Sequence, residues 1–137
     1  MWCPYLRRDI ERLERVQRRA TKRVSSVRSY QYSERLTRLQ LDSLERRRLA
    51  ADLVQVFKMT RHLSPCDFHH FFTLNKSKTR GHSFKIKSQY YAHDFRKNFF
   101  SIRTIDAWNS LPAHVFQCKN VKAFKSAIFS YFCFNVS

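Results

Sequence analysis

The chain has 137 residues, with 27 lysines and arginines against 10 aspartates and glutamates, and a formal net charge of +17. That length suits one domain with a real core. Its 13 Phe, 6 Tyr and 2 Trp supply bulky packing material, while 1 Gly and 3 Pro exclude a fold built on many tight hairpins. The positive surplus repels itself in a compact state and is relieved by phosphates, which points to nucleic acid first and an anionic membrane face second.

The first predicted element is a helix running roughly from Pro4 to Val24. Leu6, Ile10, Leu13, Val16, Ala20 and Val24 recur at three- and four-residue steps along one face. Arg8, Arg12, Arg15, Arg18, Arg19, Lys22 and Arg23 cover the other faces, and Asp9, Glu11 and Glu14 can pair with only some of them. Pro4 suits a first turn because its missing N–H has no role there. Ser25-Ser26 breaks the pattern, and a shorter helix is expected to start near Ser33, which can cap it, ahead of Glu34, Leu36 and Leu39.

Asp42-Ser43-Leu44-Glu45 has the layout of a capping box and opens the third helix. Its buried stripe is predicted to be Leu44, Leu49, Leu53, Val54, Phe57 and Leu63. Arg46, Arg47 and Arg48 crowd its start, where the helix dipole disfavours cations by roughly 0.3 to 1 kcal/mol each, so an external anion would make them tolerable.

Ser64-Pro65-Cys66-Asp67 reads as the start of a brief helix, followed by a polar, basic loop from Asn75 to Gly81 that holds the lone glycine. Phe84 and Ile86 alternate with Lys85 and Lys87, a short strand signal. Helical period returns at Asn98 with Phe99, Ile102, Ile105, Trp108 and Leu111, until Pro112 stops it. The last helix begins after Asn120, with Val121, Phe124, Ile128, Tyr131 and Phe132 on its apolar face. The expected fold is mainly α, a small helical bundle with an irregular basic loop and a short strand in the middle. It forms one domain over 1–137, divided into a basic helical part at 4–63, an irregular part at 64–97 and a C-terminal helical pair at 98–134.

No apolar leader follows Met1, and the most apolar late stretch, Ala127 to Val136, falls short of the roughly 20 residues that cross a bilayer. An intracellular chain is expected, nuclear or cytoplasmic and not secreted. Cys3, Cys66, Cys118 and Cys133 lack the close spacing of a disulfide framework or a redox pair. Cys66-x-x-His69-His70 is half of a zinc spacing without the other half, so no metal, cofactor or catalytic nucleophile is expected.

The candidate contacts to a phosphate backbone are Arg12, Arg15, Arg18, Arg19, Lys22 and Arg23 on the first helix, and Arg47 and Arg48 on the third. Lys76, Lys78, Arg80 and His82 in the basic loop join them, as do Arg96, Lys97 and Arg103 among Tyr90, Tyr91, Phe95, Phe99 and Phe100, which can stack bases. The bland reading of each is a solvated face, a polar loop or core packing, and Trp108 is assigned to the core.

Several motifs, in order, resemble the C-terminal segment of a reverse transcriptase from a non-LTR retrotransposon (LINE) of the jockey and CR1 kind. They are Trp2-Cys3-Pro4-Tyr5-Leu6, the block Asp9-Ile10 to Lys22, Tyr32-Ser33-Glu34-Arg35-Leu36, Leu41 with Leu44, Glu45, Arg47 and Arg48, and Asp52-Leu53-Val54 to Phe57-Lys58. Thr79-Arg80-Gly81-His82, Phe99-Phe100-Ser101-x-Arg103, Trp108-Asn109-Ser110-Leu111-Pro112 and Phe124-Lys125 complete the series. The resemblance covers nearly the whole chain. It departs at Arg48-Leu49-Ala50-Ala51, which lacks a glycine before Asp52, and Met1 stands where an apolar residue usually precedes the Trp, which suggests a start codon inside a longer or decayed reading frame.

That resemblance implies a thumb and post-thumb segment that grips template RNA and primer DNA, with an RNA/DNA hybrid as partner and the rest of the polymerase as another. It implies no polymerisation by these residues alone, because the paired palm aspartates that hold two metal ions are missing. No small-molecule substrate and no membrane partner are expected. The alternatives are a docking module for the polymerase core, with Phe129, Phe132 and Phe134 exposed, and a relic without function.

Overall fold

A computed structural model describes residues 4–76, 81–88, 90 and 98–133, and these residues are mainly helical. In chain order the helices are α1 (Arg7–Lys22), α2 (Tyr32–Arg38), α3 (Leu44–Thr60), α4 (Phe68–Phe71), α5 (Phe100–Arg103), α6 (Ile105–Ser110) and α7 (Val121–Tyr131). Short 3-10 turns at Ser25–Val27 and Ala113–Gln117 link them.

The apolar core is built on α3 and α7, which pack against each other more extensively than any other pair of elements. Leu53, Val56 and Phe57 on α3 face Phe124 and Ile128 on α7, all essentially without solvent contact. The Phe57 and Phe124 rings stack at 4.1 Å. Phe72, Ile86, Trp108 and Val115 close the core from the middle and C-terminal segments. Burying aromatic and aliphatic side chains of this size supplies the main drive for folding.

Helix boundaries follow local chemistry and shift several predicted starts. α1 begins at Arg7 rather than Pro4, and Pro4 is buried just ahead of it. Gln31, not Ser33, caps α2, and its N–H donates to Glu34 Oε2 at 3.4 Å. Ser43 rather than Asp42 caps α3, its Oγ accepting from Arg46 N at 3.4 Å. The stretch from Asn98 to Leu111 is two helices, not one. Thr104, fully buried, donates its hydroxyl to Phe100 O at 2.6 Å and competes there with a helical backbone bond.

With glycine so scarce, the chain ends its helices in left-handed conformations on other residues. Gln40 has φ +52° after α2 and His62 has φ +53° after α3. Leu41 N bonds Leu36 O at 2.8 Å and Leu63 N bonds Lys58 O at 2.8 Å, the backbone pattern that normally recruits glycine. Leu63 is thereby turned out to solvent instead of joining the α3 stripe.

The expected strand is a single antiparallel bridge, Leu74 to Ile86, flanked by Asn75 N to Lys85 O and Lys87 N to Thr73 O, both 2.7 Å. The other edge of Ile86 is closed by a side chain. Asn109 accepts from Ile86 N and donates to Ile86 O, both at 2.8 Å, and so stands in for a neighbouring strand. No helix among the described residues is long and apolar enough to cross a membrane.

Candidate nucleic-acid interface

The periodicity of α1 predicts a buried apolar seam, but its only buried residue is Thr21. What holds α1 to α2 and α3 is mostly polar. Tyr32 donates its hydroxyl to Glu14 Oε1, and Glu14 Oε2 accepts from Leu44 N at 3.0 Å. Gln17 Nε2 donates to Asp42 O at 2.9 Å and to Tyr32 Oη at 3.2 Å. Burial, and then the hydrogen bond to the Glu14 carboxylate, push the Tyr32 phenol up to about 12.

Glu14 also answers the cations at the start of α3. The anion there is internal: a carboxylate from α1 sits on the first N–H of α3, where the dipole is positive. Asp42, buried, adds a second negative charge with Oδ1 at 3.5 Å from Arg46 Nη1, an ion pair beyond hydrogen-bond geometry. Arg46 in turn donates to Phe132 O at 3.3 Å.

The far end of α1 is occupied by a buried arginine. Arg35 donates to Tyr30 O at 2.9 Å, to Thr21 Oγ1 at 3.3 Å and to Arg18 O at 3.4 Å. Its charge therefore lies on the carbonyl end of α1, where a cation is favoured.

On the solvent side of that same end, Arg19, Lys22, Arg23 and Arg28 surround Ser25 in an open concavity of about 710 Å³. All four cations are exposed, and none has a carboxylate within ion-pair distance among the described residues. A helix C-terminus carries about half a negative charge, which a single cation more than offsets. Arg35 already supplies one. The four outer charges converge without internal compensation, on a surface that also offers a hydroxyl donor; this is the chemistry that takes phosphate oxygens.

The other sequence-predicted contacts are dispersed or withdrawn. Arg15 is exposed on α1, Arg12 stands 3.8 Å from Asp9, and Arg18 lies 4.9 Å over the Tyr32 ring. Arg47 is exposed with Nη1 3.5 Å from Gln17 Oε1, and Lys76 is exposed at the edge of the loop. Arg48 lines a separate cleft with Asp52 and Arg103. Lys78, Arg80, Arg96 and Lys97 lie outside the described residues, as do Tyr91 and Phe95.

Two predicted contacts are structural. Arg103 grips Asp52 with two bonds, Nε to Oδ2 at 2.9 Å and Nη2 to Oδ1 at 3.1 Å, and spends Nη1 on Asn98 O at 2.9 Å. Three of its N–H donors are thereby committed to internal acceptors. His82 is buried, stacked on Phe116 at 3.9 Å, with Nε2 3.3 Å from Trp108 O. Burial lowers its pKa below the ordinary histidine value.

Arg28, which lines the concavity, and Glu14, which organises the α1 junction, are the residues that sequence reasoning misses. Arg28 follows the Ser25-Ser26 break and reads as linker. Glu14 reads as one more surface partner for arginine, although it lies one turn from Ile10 and Gln17, on the side of α1 that packs. Among the described residues no three His, Cys, Asp or Glu side chains gather as metal ligands. Comparison with protein-family models, with curated proteins and with solved structures finds no match in any of the three.

Proposed function

We propose that this chain is a nucleic-acid-binding module that holds the backbone of an RNA/DNA hybrid, as the C-terminal segment of a retrotransposon RNA-directed DNA polymerase without its catalytic palm. The observation that carries the reading is the uncompensated concavity of Arg19, Lys22, Arg23 and Arg28. Arg15 extends the basic face along α1. Contacts of this kind fix a duplex by its phosphates and carry little base specificity.

The blocks that carry the resemblance meet in the fold. Asp52 of one block pairs with Arg103 of another, Glu14 and Gln17 with Tyr32, and His82 with Trp108. The docking alternative needs Phe129, Phe132 and Phe134 exposed; Phe129 is 8% exposed, Phe132 is half-buried and Phe134 lies outside the described residues.

The test is fluorescence anisotropy of the full chain with a labelled RNA/DNA hybrid across a salt series, beside an unstructured polycation of equal charge. The chain is expected to bind about ten-fold tighter than the polycation at physiological salt. Equal affinity would reduce the interaction to net charge and defeat the reading.

A further inference from the structure

An apolar groove runs between α1 and the turn joining α2 to α3, lined by Val16, Ala20, Val24, Leu39, Leu41 and Leu44, with a volume of about 550 Å³. Val16 is 63% exposed and Val24 39%, both beside a helix otherwise covered in charge. The lining is aliphatic apart from Gln17 and Thr21. Among the described residues no ring lines it to stack a base, so nucleic acid has little to gain inside it.

Its borders are cationic. Arg19 follows Val16 by three residues and Arg23 follows Ala20 by three, which sets both beside the Val16 edge of the groove and outside its lining. Across from them Arg47 reaches Gln17, itself a lining residue. Among the described residues no acidic side chain lines the groove. A second copy of the chain would bring another +17 charges to the contact.

We infer that this groove receives an acidic amphipathic helix of a partner protein. Apolar side chains at i, i+3 or i+4, and i+7 fill the groove, and flanking carboxylates meet Arg19, Arg23 and Arg47. Since Arg19 and Arg23 also line the phosphate concavity, the helix and a nucleic-acid duplex compete for them. The groove's capacity to take the helix does not require that the concavity bind nucleic acid.

The test titrates the full chain into a labelled synthetic helical peptide with leucines along one face and glutamates on both flanks. A peptide of the same composition in scrambled order, which keeps the charge and loses the apolar face, is the control. The ordered peptide is expected to bind about ten-fold tighter. The variant V16S/V24S, altered only at exposed side chains, loses that advantage and keeps its affinity for an RNA/DNA hybrid. Arg47→Glu, on the opposite border, weakens the ordered peptide about ten-fold in a background whose groove is intact. Equal binding of the two peptides overturns the inference, and so does indifference to either variant. A dimer dissolved by V16S/V24S would assign the groove to a second copy, and loss of hybrid affinity in that variant would assign it to nucleic acid; both overturn it.

Discussion

The Asp52 side chain is 3% exposed and ionisable, and its only described charge partner is Arg103. Removing one member of a buried pair strands the other, at a cost of about 3 to 5 kcal/mol, whereas removing both can cost far less. Asp52→Ala should therefore lower stability by about 3 kcal/mol in urea unfolding, and D52A/R103M should recover much of that loss. His82 gives a pH signature. Its pKa is depressed in the fold, so its contribution is complete above about pH 6.5, the unfolded value, and is lost as pH falls below it. His82→Gln should flatten that part of a melting-temperature profile; an unchanged profile would place the effect elsewhere. Gln40 and His62 hold left-handed backbone without being glycine, and His62→Gly should stabilise the chain by up to about 1 kcal/mol. At this scale the sequence is least legible. Arg103 and His82 look like any basic residue near aromatics, and only the three-dimensional arrival of Asp52 and Phe116 makes them internal.

The elements are legible where periodicity and caps agree. Asn120 caps α7 by accepting from Ala123 N at 2.8 Å, as its position implies, and Trp108 is fully buried. Periodicity misleads in α1, because an apolar stripe shows only that a face can be covered, not that this chain covers it. The consequence is a molecule with two kinds of adhesion. α3 and α7 are joined by aromatic and aliphatic burial, whereas α1 and α2 are held by Glu14, Gln17, Tyr32 and Arg35. Regions with few buried apolar contacts open locally at lower free energy. Native-state hydrogen exchange should show α1 and α2 exchanging together well before α3 and α7; uniform protection would contradict this division. Glu14→Ala removes acceptors for both Tyr32 and Leu44 and should cost about 2 kcal/mol. Alkaline pH attacks the same junction. With the Tyr32 phenol held at about 12, its contribution is intact below about pH 10 and is lost as pH rises from there towards 12.

Across the whole molecule, the surplus of +17 is the property the composition announces first, and the structure gathers part of it at one end of α1. If charge alone mattered, any four exposed cations would be equivalent. If the concavity is the grip, they are not. The deciding measurement is the salt dependence of RNA/DNA hybrid binding for two charge-matched variants. One replaces Arg19, Lys22, Arg23 and Arg28 with Gln, and the other does the same to Lys87, Lys119, Lys122 and Lys125, which are exposed. Each phosphate that the protein ceases to neutralise lowers the slope of log affinity against log salt by about 1, so the first variant should fall by about 4 and the second by little. Equal falls in the two variants would contradict a phosphate site on α1.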